Sequence, residues 1–268
     1  MDRMNHLKIT LIPEQAGLRV SPGMEKTRKA LEKACPRFGL DNVLIDVTKI
    51  EGLPEEKGYA SSTADILGAL FGVARLAGYT LTPEEATGIA LSVEPTDSLA
   101  WSDLVLLDHR EGRIMRILGK VPPLDVLVIE QPGTVDTEEF NRKDIASLLE
   151  KKAALYTEAF DLLYQGIREG NTSLIGRAST MSALASTDLL EKDSQEYILD
   201  MARSFGCPGI CTAHSGTLTG VLIDKAGGVP DWLEEMQLHL MRNLPSGTSI
   251  SLRSLVPGGP LFMEGSCS

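Results

Sequence analysis

Apolar positions recur along the chain with two periods, and their order predicts strands and helices mixed through the whole length. Alternating apolar and polar residues over 7–12 predict a strand, a helix is expected over 22–33, and Val43-Leu44-Ile45-Asp46-Val47 marks a second strand over 42–47. Ile66, Leu67, Ala69, Leu70, Val73 and Ala74 have helical spacing and predict a helix over 61–76, ended by Gly78. Thr82-Pro83-Glu84-Glu85 is a strong helix start, with Thr82 as N-cap, Pro83 in the first turn and Glu85 closing a capping box. That helix continues through 86–91 into Ser92-Val93-Glu94-Pro95-Thr96-Asp97-Ser98, where Pro95 must break it.

Two strands, 104–108 and 113–118, are expected to form a hairpin through Glu111-Gly112. The apolar run over 124–129 reads as a central strand buried on both faces and closed by Gln131-Pro132-Gly133, so a hinge between two halves is expected near 120–135. Beyond it the pattern predicts a long helix over about 141–169, helices over 173–186 and 194–205, and a strand pair over 209–224. A helix over 230–242 and a last strand over 248–256 complete the chain. There is no internal repeat.

Composition narrows the class. With 268 residues, 43% hydrophobic and 24% charged, the chain is a globular protein able to bury a substantial core, not a disordered one. No apolar run is long enough to span a bilayer, and Met1-Asp2-Arg3-Met4-Asn5-His6 lacks the basic and apolar regions of a signal peptide, so a cytoplasmic location is expected. A net charge of −11 opposes nucleic acid and anionic membrane as partners, while leaving room for one local nucleotide pocket. The four cysteines are too sparse for a disulfide scaffold. Cys207, Cys211 and His214 offer three zinc ligands without a fourth, and small side chains packed around a strand explain them better.

Three polar segments carry candidate chemistry. Pro54-Glu55-Glu56-Lys57-Gly58-Tyr59-Ala60-Ser61-Ser62-Thr63-Ala64-Asp65 links a strand to a helix through small residues. The unpaired N–H groups and positive dipole end of such a helix favour an anion, a phosphate above all, with Ser61, Ser62 and Thr63 adding hydroxyls. The same residues also read as a plain capping box, with Ser62 as N-cap and Asp65 at N3; Asp65 would otherwise hold a cation beside the phosphate. Glu94 and Asp97, three positions apart at a proline-broken turn, are either an exposed acidic turn or a site for a divalent cation or a base. In the third segment, Ala213-His214-Ser215-Gly216-Thr217-Leu218-Thr219-Gly220, Gly216 and Gly220 would let backbone approach a ligand closely; a polar β-turn is the simpler alternative.

Together these residues resemble one family. Gly58-Tyr59-Ala60-Ser61-Ser62-Thr63-Ala64-Asp65, Ser92-Val93-Glu94-Pro95-Thr96-Asp97-Ser98 and Ala213-His214-Ser215-Gly216-Thr217 match, in order and approximate separation, the L-threonine kinases of cobalamin biosynthesis, in the GHMP kinase superfamily. The superfamily loop Pro-x-x-x-Gly-x-x-Ser-Ser is met by Pro54, Gly58, Ser61 and Ser62. The ending Ala-Ser-Ser-Thr-Ala-Asp and the run Glu-Pro-Thr-Asp-Ser are specific to the threonine kinases. The resemblance runs from about residue 40 to Asp224, with a weaker echo at Pro257-Gly258-Gly259.

The resemblance implies an α+β chain with the GHMP kinase fold: a ribosomal S5 domain 2-like N-terminal domain over 1–130 and a ferredoxin-like C-terminal domain over 131–268, with ATP and substrate between them. Lys57, Gly58, Tyr59, Ala60, Ser61, Ser62 and Thr63 would wrap the ATP phosphates, and Ser62 with Glu94 would hold Mg²⁺. Asp97 would stand beside the substrate hydroxyl as base, and His214, Ser215, Gly216 and Thr217 would close over the substrate and γ-phosphate. Such a kinase would make O-phospho-L-threonine from free L-threonine; homoserine or another small hydroxylated metabolite is the alternative acceptor. Family members open with a Pro-x-x-Cys-Gly-Glu segment that is absent here, residues 1–11 matching the strand that follows it. The N-terminus is therefore expected to be truncated, by a misplaced start or by a real deletion that would leave a non-catalytic nucleotide-binding remnant.

Overall fold

Strand β1 (His6–Pro13) pairs antiparallel with β3 (Val43–Glu51), Ile9 opposite Val47, while the short β2 (Gly17–Val20) runs parallel to β3 on its other edge. These strands open a computed structural model that describes residues 1–113, 115–134, 146–188, 194–214 and 216–263. The chain divides into two compact units. One comprises Arg3–Glu55, Ala60–Leu118 and the segment from Pro257; the other comprises Met1–Asp2, Glu56–Tyr59 and Gly119–Val256.

In the first unit the three-stranded sheet, in order β1-β3-β2, packs against helices α1 (Glu25–Phe38), α2 (Ser61–Leu76) and α3 (Pro83–Leu91). Leu31, Val47, Ile66, Leu70 and Val73 are buried in its core. Helix α2 lies close on β1 because two of its residues lack side chains: a Cβ at Gly72 would stand 2.3 Å from Ile9 Cδ1, and one at Gly68 would stand 3.2 Å from Leu7 Cδ1.

The predicted helix over 22–33 starts later and runs further than expected. Its buried stripe of Ala30, Leu31, Ala34 and Phe38 carries it past Pro36 to Gly39, which closes it in a left-handed conformation with its N–H on the Cys35 carbonyl. Strand β2 was expected to be loop; four residues are too few to show a period, yet Leu18 and Val20 pack on the core. Helix α3 has the predicted capping box, Thr82 Oγ1 accepting from the Glu85 N–H and Glu85 Oε2 from the Thr82 N–H. It ends at Leu91, before Pro95 is reached. Strands β4 (Leu104–Leu107) and β5 (Met115–Gly119) form a two-stranded sheet, as the hairpin expectation has it. In the turn between them Asp108 accepts the N–H groups of Arg110, Glu111 and Arg113, bonds that hold its carboxyl below the usual range.

The second unit is built on a four-stranded antiparallel sheet in the order β7-β8-β6-β9. Its strands are β6 (Leu124–Glu130), β7 (Gly209–Thr212), β8 (Leu218–Asp224) and β9 (Ser249–Ser254). Helices α4 (Ala146–Lys151), α5 (Ala153–Glu169), α6 (Thr172–Ala185) and α7 (Gln195–Ser204) intervene between β6 and β7, and α8 (Leu233–Asn243) lies between β8 and β9. This strand order and alternation is the ferredoxin-like pattern. Central β6 is largely buried, as its nearly continuous apolar run, interrupted at Asp125, predicts. The start of the helix expected over 141–169 lies outside the described residues, and the described part breaks at Lys152 into α4 and α5. Asn171 caps α6 through the Leu174 N–H. Among the described residues no helix is long and apolar enough to cross a membrane.

Two glycines give opposite expectations. A Cβ at Gly176 would lie 2.2 Å from the Pro208 carbonyl oxygen, backbone that has no rotamer to yield with, so Gly176→Ala should destabilise the protein by about 1–3 kcal/mol. Exposed Gly88, inside α3 with nothing within 4 Å of its would-be Cβ, should gain about 0.5–1 kcal/mol as Gly88→Ala. Urea unfolding midpoints check both signs.

Candidate functional site

Helix α2 does not begin as its sequence suggests. Ala60 is the N-cap, in the left-handed region (φ 57°, ψ 36°), and the first turn closes with the Ala64 N–H on the Ala60 carbonyl at 3.0 Å. Ser62 is therefore inside the helix, and the capping box expected from Ser62 and Asp65 does not form. Alanine has no polar side chain to spend on the first N–H groups, which stay directed along the axis with the positive end of the helix dipole. Just upstream, Glu56 (φ 58°) and Gly58 (φ 102°) are left-handed on either side of Lys57, an alternation that turns successive N–H groups to one side.

The first turn of α2 gathers the predicted acidic segment. Ser62 Oγ donates to Glu94 Oε1, and Lys26 Nζ lies 2.7 Å from Glu94 Oε2, so both carboxylate oxygens are engaged. One residue on, Thr63 Oγ1 accepts from Thr96 Oγ1 at 3.3 Å and from the Asp97 N–H at 3.4 Å. The Thr96 N–H in turn reaches the His109 carbonyl at 2.8 Å. Thr63 and Thr96 are buried while Ser62, Glu94 and Asp97 are half-buried, so the buried hydroxyl pair joins the turn to the acidic segment. Thus the structure brings together Ser62, Thr63, Glu94 and Asp97, residues separated by more than thirty positions.

Asp65 has a different role from either one expected. Its Oδ2 accepts from Lys49 Nζ and its Oδ1 from Asn5 Nδ2, each at 2.7 Å, so it neither caps the helix nor waits for a metal. The Asn5 amide also donates to the Ser61 carbonyl at 3.0 Å and accepts the Leu53 N–H at 2.7 Å, tying the start of α2 to the end of the sheet.

The upstream part of the same loop is held in the second unit. Lys57 turns its ammonium onto the Gln131 carbonyl (3.0 Å) with Glu130 Oε1 at 3.8 Å, and Tyr59 Oη donates to Glu130 Oε2 at 2.9 Å. Gly216 (φ 86°) lies on this loop so closely that a Cβ there would be 2.2 Å from the Lys57 carbonyl. The Thr217 N–H donates to the Lys57 carbonyl at 3.0 Å. Of the third predicted segment, Gly216 and Thr217 thus meet Lys57 and Gly58; His214 is exposed and Ser215 lies outside the described residues. Gly220, expected to face a ligand, instead makes room for the sheet itself: its Cβ would be 2.4 Å from Val126 Cγ1 and 3.0 Å from Cys211 Sγ. Cys207 packs on the core of the second unit, and burial pushes its thiol up to about 11. The Pro257-Gly258-Gly259 echo packs on the main chain just after the acidic segment, the Gly259 N–H on the Leu99 carbonyl at 2.8 Å.

Asn5, Lys26, Lys49 and Glu130, which bind the predicted segments, are not singled out by the sequence. Each is a common polar residue whose partner is remote in the chain, and no spacing announces such a pair. The Lys49–Asp65 pair sets a stability test: with side chains only 20% and 9% exposed, Asp65→Ala should strand the ammonium and cost about 3 kcal/mol. Glu55→Ala, removing the exposed carboxylate 3.8 Å from the same ammonium, should change thermal stability by less than about 0.5 kcal/mol.

Comparison with known proteins agrees with this geometry. A family model described as the GHMP kinases N terminal domain matches residues 25–105, a span that includes both the α2 start and the acidic segment. The L-threonine kinase of Citrobacter freundii is 30% identical over 220 residues, 78% of this chain and 76% of that protein. The L-threonine kinase of Salmonella typhimurium is 31% identical over 190 residues, 71% of this chain but only 63% of that protein's length. Among solved structures, the homoserine kinase of Cytophaga hutchinsonii superposes with a TM-score of 0.69 at 17% identity, covering 94% of this chain and 86% of that one. The family-model match, the fold and the identity extended over most of the chain lead to one conclusion: the chain belongs to the GHMP kinase family, and within it is related to the L-threonine kinases.

Proposed function

We propose that this chain transfers the γ-phosphoryl group of ATP to the side-chain hydroxyl of free L-threonine, making O-phospho-L-threonine for the aminopropanol arm of cobalamin in the cytoplasm. The observation that carries the reading is the joining of Ser62 to Glu94, and of Thr63 to the Asp97 backbone, on the uncapped first turn of α2. An uncapped helix start suits an anion, and phosphoryl transfer asks the protein for placement and charge neutralisation more than for covalent help.

The residues fit the cofactors expected of such a reaction. A hydroxyl and a carboxylate in mutual contact are two hard oxygen donors that suit Mg²⁺. Mg²⁺ commonly takes one or two protein oxygens and fills its shell with phosphate and water. When bound, Mg²⁺ supplies charge neutralisation on the phosphates. Lys26 keeps the Glu94 carboxylate oriented toward Ser62. On this reading the N–H groups at the start of α2 bind phosphate oxygens, and Asp97 receives the proton of the acceptor hydroxyl.

Homoserine is the second acceptor to consider, because the homoserine kinase fold covers nearly the whole chain. The Glu94-Pro95-Thr96-Asp97-Ser98 run, shared with the threonine kinases, favours L-threonine.

ADP release should require both L-threonine and Mg²⁺; equal or faster turnover with homoserine overturns the choice of acceptor. Ser62→Ala and Glu94→Gln should each lower kcat/KM by about a hundredfold while circular dichroism shows a folded protein. Asp97→Asn should lower kcat by about a hundredfold or more if the carboxylate is the base. Normal rates in both the Ser62 and Glu94 variants would remove the metal assignment.

A further inference from the structure

The corner at the C-terminal end of β6 carries contacts that none of these roles uses. Glu130 accepts from Tyr59 Oη at 2.9 Å through one oxygen and lies 3.8 Å from Lys57 Nζ through the other. The neighbouring Gln131 carbonyl accepts from Lys57 Nζ at 3.0 Å and from Thr217 Oγ1 at 3.1 Å, while the Thr217 N–H closes the circuit on the Lys57 carbonyl at 3.0 Å. Tyr59 is buried, and the Lys57 and Glu130 side chains are 17% and 20% exposed, so these charge-assisted bonds are less screened than a surface pair.

The loop needs such an anchor. Glu56 and Gly58 hold left-handed conformations, and Gly58 has no side chain to fasten it. Gly216 touches the loop by backbone alone, which supplies shape but little attraction. Both Lys57 and Tyr59 meet the Glu130 carboxylate, and Glu130 ends β6, a central strand paired on both edges.

We propose that Glu130 is a positioning residue: through Tyr59 and Lys57 it fixes the 56–59 loop on the end of β6, and through the adjoining Gln131 carbonyl it sets the spacing of that loop from Gly216 and Thr217. The inference rests on the kinase reading, in which this loop leads into the phosphate-binding turn. Glu130 acts on nucleotide binding through Tyr59 and Lys57, not by touching the nucleotide.

The test uses the full chain and two readouts. Wild-type ATP turnover is measured first; its absence defeats the kinase reading, and this proposal with it. In an active enzyme, Glu130→Ala should raise KM for ATP about tenfold, with KM for L-threonine and kcat each changing by less than about threefold. Glu130→Gln, whose amide oxygen still accepts from Tyr59, should recover most of the loss. Tyr59→Phe should shift KM for ATP in the same direction and add little in the Glu130→Ala background. Amide hydrogen exchange should accelerate together over 56–59 and 216–217 in Glu130→Ala, and stay unchanged over β1 and β3. An unchanged KM for ATP in an active enzyme overturns the proposal alone. So does an equal loss on both substrates with faster exchange throughout, which marks a mere structural brace.

Discussion

A helix that begins without a polar cap must fix its first turn by other means, and the start of α2 is fixed by groups reaching in from three separate segments. Asn5 binds the Ser61 carbonyl, Lys49 and Asn5 share Asp65, Ser62 meets Glu94, and Thr63 meets both Thr96 and the Asp97 backbone. All of these bonds use side chains or a carbonyl of the turn, so the axial N–H groups are not consumed in holding it. This division between what secures the turn and what stays directed outward is the constraint on which the rest of the first unit is arranged. Asp65 closes the lower side of the turn and Glu94 the upper, and the net effect of Lys49 and Lys26 is to neutralise two carboxylates that would otherwise repel a phosphate.

The left-handed Ala60 belongs to the same logic. A non-glycine residue there carries a backbone strain of about 1 kcal/mol or more, and it is retained where the surroundings over-determine it. Here the surroundings are the Asn5 and Thr63 bonds on the turn that follows. A serine or aspartate cap would relieve nothing and would occupy the donors.

Long elements were legible from sequence because burial and capping leave local patterns: β6 from its nearly continuous apolar run, α2 from its stripe, α3 from its capping box. Element ends were less so. Helix α1 outran its predicted end because the buried Phe38 outweighs the loss of one N–H at Pro36, a tertiary term that no local propensity contains. In the candidate site, the motifs singled out segments that the fold brings to the α2 start and to the 56–59 loop, yet Ser62 lies inside the helix and not at its cap, and Asp65 and Gly220 have partners other than those expected. The last two departures have one cause: local spacing suggests local partners, whereas Asp65 found Lys49 on β3 and Gly220 found Val126 on β6. The residues missed altogether, such as Asn5 and Glu130, act by bonds across the fold and have no local pattern to be read.

Gly68 and Gly72, described above as the reason α2 lies close on β1, also limit how the unit can move. Ile9 and Leu7 fill notches one helical turn apart, so the helix is seated like a bolt in a detent. A slip of one turn, about 5.4 Å, would set Ala64 against Leu7 or Leu76 against Ile9, and those side chains would have to turn aside. The axial position of the α2 start is thereby fixed in steps too coarse for small adjustments. Any accommodation to a bound molecule must therefore come from the backbone before Ser61, where the left-handed residues cluster, with the helix itself serving as a fixed datum.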